Sequence, residues 1–102
     1  RDFIHVSDIM YAMDCILNYD GSEEIFNVAN GEEISIRDLA VSYAKELGET
    51  ADIVSFNGEV KAGDPRNWRA DISLLKKTGY AKKVEFSDGV GDYVDWVKKQ
   101  GV

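Results

Sequence analysis

Positively charged side chains are the residues of this sequence with the clearest capacity for chemistry. They lie at the first position and in residues 57–69, a stretch without helical or strand periodicity: Arg1, Lys61, Arg66 and Arg69. An arginine guanidinium fits a phosphate with two parallel hydrogen bonds, and each charge-assisted bond contributes about 1.5–3 kcal/mol. The chain has a net charge of −7, so a local group of cations has two equally favoured interpretations. They bind an anionic ligand or an acidic partner surface, or they are ordinary surface charge.

Other catalytic chemistry finds little support in the residue types. Cys15, the single cysteine, falls on an apolar helical stripe, and we expect a small buried or half-buried side chain rather than a nucleophile. His5, the single histidine, lies between Ile4 and Val6, and we expect it at a sheet edge or a domain boundary rather than in a base role. Adjacent carboxylates are predicted to be solvated surface rather than acid–base pairs: Glu23, Glu24, Glu32 and Glu33.

Cofactor-binding motifs are also missing from the sequence. Gly89 and Gly91 are separated by one residue, but no third glycine follows at the required spacing and no strand leads into them. No Gly-Lys-Ser/Thr phosphate loop is present, and no tyrosine has a lysine four residues later. We therefore expect no catalytic residue, no cofactor-binding residue and no metal ligand within this chain.

Length and composition set the broad class. The chain has 102 residues, of which 44% are hydrophobic, so folding should remove about two-thirds of the unfolded surface from water in one small domain. The acidic balance disfavours nucleic-acid binding, no apolar run approaches the ~20 residues of a membrane helix, and one cysteine cannot form an internal disulfide. Nothing resembles a signal peptide, which predicts a cytoplasmic protein. The chain does not begin with methionine, and we expect it to be a piece of a longer protein.

The elements that must position the cations follow a strand–helix pattern. Three short apolar runs predict strands: residues 3–6, 25–28 and 53–56. Four helices are predicted to follow N-capping side chains: Asp8, Ser35, Asp71 and Ser87. The prediction is an α/β domain, α+β-like in its small size, with short mostly parallel strands and three to four amphipathic helices. Three short strands make a thin sheet for this number of helices. Such a layer would be better covered if the sheet docked on another domain.

Four motifs in order carry a resemblance to a known family. They are Arg1 to Asp8 (RDFIHVSD), Phe26 to Glu32 with Ser35 to Ala40, Gly63 to Arg66 with Ala70 to Ser73, and Gly79-Tyr80 before the last helix. Together they cover essentially the whole chain. The sequence resembles the C-terminal part of the extended short-chain dehydrogenases, the NAD-dependent sugar-nucleotide epimerases and dehydratases. The resemblance implies that residues 1–102 are a single substrate-binding domain completing a Rossmann-type enzyme, whose NAD-binding domain lies upstream and holds NAD(P) and the catalytic residues.

The resemblance also implies roles for particular side chains. Arg1 would contact the diphosphate of a nucleotide sugar, and Lys61 stands where many relatives have a second phosphate-binding arginine, although an ammonium cannot grip two oxygens as a fork does. Asp64 would accept hydrogen bonds from ribose hydroxyls, and Trp68 would lie beside the sugar pocket. Arg66 would serve instead as the phosphate partner.

Three hypotheses for the function stay open at this point. In the first, the chain binds a nucleotide-diphosphate sugar in an NAD-dependent epimerase or dehydratase, and the segment alone is inactive. In the second, it is a free-standing binding or adaptor module that needs no upstream domain. In the third, residues 57–69 only cover another domain. The isolated segment is expected to expose an apolar patch where its partner domain would pack, and with it to form a possible homodimer.

Overall fold

The computed structural model describes residues 1–101, which form four α-helices and one 3₁₀ turn. The helices are α1 (Val6–Leu17), α2 (Ile36–Glu46), α3 (Ser73–Lys77) and α4 (Phe86–Lys99). The 3₁₀ turn (Ala51–Ile53) lies between α2 and α3.

The predicted α/β class with short, mostly parallel strands is wrong, because no β-strand occurs in residues 1–101. A strand exists only where its backbone N–H and C=O groups pair with a neighbouring segment, and short apolar runs do not specify a pairing partner. One reciprocal pair forms: the Ile34 N–H donates to the Arg1 carbonyl at 2.8 Å, and the Arg1 backbone nitrogen donates to the Ile34 carbonyl at 2.9 Å. The pairing does not continue into a ladder. The predicted strand at residues 53–56 instead begins inside the 3₁₀ turn.

The Asp2 carboxylate provides part of the long-range order that a sheet would have given. It accepts hydrogen bonds from the backbone N–H groups of Asn30 (2.8 Å), Gly31 (2.9 Å) and Ala70 (3.1 Å). One side chain therefore joins three segments that are far apart in the sequence.

Asp8 acts in the same way, and its prediction as the N-cap of α1 is wrong. The N-cap is His5, whose Nδ1 accepts the Ser7 N–H at 3.1 Å. Asp8 lies inside the first turn, 1% exposed, and its carboxylate accepts the backbone N–H groups of Lys83 and Val84, each at 3.1 Å. Since this carboxylate is committed to a distant segment, it cannot cap its own helix.

Of the three other predicted N-caps, one is confirmed and two are wrong. Ser35 is the N-cap of α2 and accepts the N–H three residues later at 2.9 Å, which confirms that prediction. Asp71 and Ser87 are not N-caps, because α3 follows Ile72 and α4 follows Glu85. Neither of these N-cap residues makes a capping side-chain bond, although at α3 the Asp71 carboxylate, one residue before the N-cap, accepts the Ser73 N–H at 2.9 Å.

The molecule is less compact than is usual for a domain of its length. One cluster of buried residues lies between α1 and α3: Ala12, Ile72, Leu75 and Tyr80. The accessible surface is 7607 Å², against about 5,800 Å² for a compact monomer of this mass and about 16,500 Å² for the unfolded chain. Folding therefore removes only about 54% of the unfolded surface, less than the predicted two-thirds. The radius of gyration is 16.3 Å, whereas a compact domain of this length has about 13 Å.

Candidate functional site

The structure places Arg1 against the loop in which the other predicted site residues lie. Its Nη2 forms an ion pair with Asp64 Oδ1 at 2.8 Å, and its Nη1 donates to the Pro65 carbonyl at 2.8 Å. The guanidinium carbon lies 5.9 Å from the centre of the Trp68 ring, within cation–π range. Three of the five predicted site residues, Arg1, Asp64 and Trp68, are therefore neighbours.

Local backbone geometry aims Asp64 at Arg1. The Asp64 N–H donates to the Lys61 carbonyl at 3.2 Å, which closes a turn with Gly63 at its third position. Gly63 has a φ of +81°, a value that residues with a Cβ rarely adopt. Further along, the Trp68 N–H donates to Glu33 Oε1 at 3.0 Å, which ties the loop to the segment that pairs with Arg1.

The remaining two predicted site residues are not brought against Arg1. The side chains of Lys61 and Arg66 are exposed, and neither forms an ion pair or a side-chain hydrogen bond with another residue in positions 1–101. Their charges remain uncompensated beside a loop that is otherwise anchored. Arg69, also noted among the loop cations, lines a separate polar cleft.

That polar cleft has a volume of about 480 Å³ and is lined mainly by the chain around the start of α3: Gly31, Arg69, Ala70, Asp71, Ile72, Ser73 and Lys76. The N–H of Ser73 donates to Asp71 Oδ1 at 2.9 Å, and this hydrogen bond is the main reason that the pKa of Asp71 is lowered. Arg69 and Lys76 lower the pKa of Asp71 further by their charge. The two cations are thus partly matched by a carboxylate of their own.

Hydrogen-bonding capacity remains on the Arg1 side chain. A guanidinium has five N–H donors, and two of those on Arg1 are used by Asp64 and Pro65. Three donors are left for an anion, while the loop contacts hold the group in place. The side chains of Arg1 and Asp64 are 33% and 51% exposed, so the ion pair itself contributes little stability, and a ligand can reach both partners.

Sequence reasoning missed two residues that organise this site. Asp2 was not singled out, although it follows Arg1 directly and fixes the segment on which Arg1 lies. Glu33 is predicted to be solvated surface; its side chain is exposed, and its carboxylate also holds the loop by accepting the Trp68 N–H. An acidic residue at the start of an apolar run was the available signal for Asp2; nothing in the sequence marked Glu33.

The two closely spaced glycines do not form a dinucleotide-binding turn. Gly89 and Gly91 lie within α4, whereas a phosphate-binding glycine turn joins a strand to the start of a helix. In the same residues, no group of three or more histidine, cysteine or acidic side chains is arranged to hold a metal ion. No helix in the described part of the chain is long and apolar enough to cross a membrane.

Comparison with known proteins gives relatives across almost the whole chain, although no protein-family model matches it. The chain is 34% identical to GDP-L-fucose synthase 1 of Arabidopsis thaliana over 106 residues, which cover 97% of this chain and 30% of that protein. It is 28% identical to dTDP-4-dehydro-6-deoxyglucose reductase of Escherichia coli, covering 96% of this chain and 31% of the reductase. It is 28% identical to dTDP-glucose 4,6-dehydratase of an Actinoplanes strain, again covering 96% of this chain and 31% of that protein.

The chain thus spans about 30% of the length of these relatives. The relatives carry out different reactions by name, yet each name is that of an enzyme of nucleotide-sugar metabolism. By this homology the chain belongs to the NAD-dependent epimerase/dehydratase family of nucleotide-sugar enzymes.

Proposed function

We propose that this chain is the substrate-binding, C-terminal region of an NAD-dependent nucleotide-sugar epimerase, dehydratase or reductase. The observation that carries the proposal is the position of the Arg1 guanidinium, held by Asp64 and Pro65 and lying near the Trp68 ring with three N–H donors unused. NAD(P) and the hydride and proton transfers belong to a Rossmann domain outside residues 1–102.

Each side chain in the loop has a role in this proposal. Arg1 donates to the diphosphate oxygens, and the exposed ammonium of Lys61 and guanidinium of Arg66 add positive charge beside it. Asp64 uses one carboxylate oxygen for Arg1, and the other is available to accept from a ribose hydroxyl. The half-exposed ring of Trp68 forms an apolar wall next to the sugar.

The energetic purpose of such a site is orientation. The diphosphate is remote from the reacting carbon of the sugar, so contacts to it do not change the chemical step directly. They fix the position of the sugar relative to the nicotinamide and so reduce the entropy that must be lost on reaching the transition state. The relatives' names share dTDP- or GDP-linked sugars, which supports the diphosphate as the common recognition element.

The test is the affinity of the full-length protein for dTDP-glucose and for a GDP-linked sugar, measured by isothermal titration calorimetry. We expect Arg1→Ala to weaken binding by roughly ten- to a hundredfold, the loss for a charged hydrogen-bonded contact. The affinity of the Arg1→Lys protein should lie between those of the wild-type and Arg1→Ala proteins. An ammonium keeps the positive charge but cannot form two parallel hydrogen bonds to one phosphate. Binding of the uncharged nucleosides should not change.

Arg37→Ala is the matched control, since the Arg37 guanidinium lies 4.9 Å from the centre of the Phe56 ring and makes no contact with Arg1. An unchanged affinity of the Arg1→Ala protein would contradict the assigned role. Epimerase or dehydratase turnover by residues 1–102 alone would contradict the division of labour. A native reading frame that starts with methionine directly before Arg1 would favour the free-standing binding module instead.

A further inference from the structure

A short segment before α2 connects the two halves of the proposed substrate site. The backbone of Ile34 pairs with that of Arg1 in both directions, at 2.8 and 2.9 Å. The residue before it, Glu33, accepts the Trp68 N–H on its Oε1 at 3.0 Å. Two consecutive residues therefore hold the residue assigned to the diphosphate and the residue assigned to the sugar.

The hydrogen bond to Glu33 is the only one within positions 1–101 that involves residues 66–69. The loop is anchored before this stretch by its contacts with Arg1, and after it by the Ala70 N–H, which donates to Asp2 at 3.1 Å. Between these two anchors, one carboxylate holds the backbone. Loss of that hydrogen bond would free the middle of the loop without releasing its ends.

The ring of Trp68 depends on this backbone position for its place beside Arg1. The guanidinium carbon lies 5.9 Å from the ring centre, at the outer edge of the range for cation–π attraction. The residue is 54% exposed, so packing against the core does not fix the ring. The hydrogen bond to Glu33 therefore has a large part in setting the separation between the ring and the guanidinium.

We propose that Glu33 is a positioning residue that makes the site select a nucleoside diphosphate carrying a sugar over one without a sugar. The inference rests on the proposed function, in which Arg1 binds the diphosphate and Trp68 lies against the sugar. Glu33 fixes the backbone of Trp68, and so the spacing between these two contacts. Because the ring is ordered when the chain folds, less entropy is lost when the sugar binds to it.

The preceding residue, Glu32, provides a matched control. It has the same side chain and charge as Glu33, and its Oε1 accepts from the Lys82 ammonium at 2.7 Å. Within positions 1–101 its side chain forms no hydrogen bond or ion pair with residues 57–69. A change in net charge therefore affects variants of both glutamates, whereas loss of the loop anchor affects only those of Glu33.

The test compares each sugar nucleotide with its own nucleoside diphosphate in the full-length protein: dTDP-glucose with dTDP, and GDP-L-fucose with GDP. Isothermal titration calorimetry gives both dissociation constants for the pair that the wild-type protein binds. We expect Glu33→Ala to weaken binding of the sugar nucleotide by about three- to tenfold, the loss of one hydrogen bond, and to leave the diphosphate within about twofold. Glu33→Gln should restore the affinity, since its amide oxygen accepts the same N–H. Glu32→Ala should change neither constant.

A double-mutant cycle separates action through Trp68 from direct contact between Glu33 and the sugar. Trp68→Ala should also weaken the sugar nucleotide and spare the diphosphate. Glu33→Ala should cause no further loss in the Trp68→Ala protein, because no ring is left to position. Additive losses would overturn the positioning role. So would an equal loss for sugar nucleotide and diphosphate in Glu33→Ala, or an equal loss in Glu32→Ala.

Arg1→Ala separates failure of this inference from failure of the proposed function. It should weaken both members of the pair, since both carry the diphosphate. If it does so and Glu33→Ala leaves the sugar nucleotide unchanged, the positioning role alone is wrong. If Arg1→Ala changes neither constant, or if the wild-type protein binds neither pair, the proposed function fails and this inference fails with it.

Discussion

Replacement of Asp2 by alanine should destabilise the molecule more than its partly buried position suggests. Its carboxylate accepts three backbone N–H groups, from Asn30, Gly31 and Ala70, at 2.8–3.1 Å. A net contribution of about 0.5–1.5 kcal/mol per hydrogen bond gives a loss of about 1.5–4.5 kcal/mol for the three. A domain of this length has about 5–15 kcal/mol in total, and the small buried fraction places this chain toward the lower end. Asp2→Ala should therefore remove a large part of the stability.

The measurement is urea unfolding followed by helical circular dichroism, with the free energy taken from linear extrapolation. Asp2→Asn should lose less than Asp2→Ala, since an amide keeps one acceptor oxygen and the side-chain volume. Asp20→Ala, at an exposed aspartate, is the control and should change the free energy of unfolding by less than about 0.5 kcal/mol. A loss below about 0.5 kcal/mol for Asp2→Ala, or one equal to that of the control, would refute the view that this carboxylate replaces a sheet.

Two further predictions concern Glu23 and Ser35. The pKa of Glu23 is lowered, chiefly by the hydrogen bond from the Tyr19 hydroxyl (2.8 Å) and also by that from the Lys77 ammonium (3.2 Å). A lowered pKa means stability that is present above the unfolded pKa and is lost as pH falls through the folded value. Glu23→Gln should therefore reduce the drop in urea midpoint between pH 6 and pH 3. Ser35→Ala should cost about 1 kcal/mol of unfolding free energy, the usual loss for an N-cap that accepts a backbone N–H, measured at pH 7 in the same assay.

Neighbouring residues of the same type serve as controls for these two changes. Glu24 is exposed, so Glu24→Gln should leave the acid dependence of the wild-type protein in place. Ser87 lies within α4 without capping it, and Ser87→Ala should change stability by less than about 0.5 kcal/mol. If the Ser87 and Ser35 variants lose equal stability, capping is not the cause of the loss in the Ser35 variant. If the Glu23 and Glu24 variants respond to acid alike, the contacts of Glu23 do not cause the loss of stability at low pH.

The helices could be predicted from the sequence because their signals are local. Ser35 caps α2 as predicted, and Gly48 after that helix has a φ of +80°, as expected of a residue that ends a helix. The predicted strands failed because pairing depends on segments distant in the sequence, and two aspartates took over that role. Asp8 shows the difficulty directly, since its type and position fit a cap and its carboxylate bonds residues 83 and 84 instead.

The candidate site was predictable only through the resemblance. Arg1 and Asp64 are separated by 63 residues, and no periodicity relates them. The contact with the Pro65 carbonyl and the position over Trp68 depend on the turn at Gly63, whose effect on direction a sequence does not reveal.

The hydrogen bond between Asp8 and residue 83 affects when α1 can pack during synthesis on the ribosome. It closes a separation of 75 residues, and the entropy of closing so long a loop costs about 4 kcal/mol plus a constant. At about 5–20 residues per second, synthesis of the intervening chain takes roughly 4–15 s. During that interval α1 has its sequence complete but lacks the backbone groups that bury its aspartate. A nascent chain arrested before α3 lacks both this bond and the packing partners of Ala12, and should therefore leave α1 accessible to chaperones and to proteases.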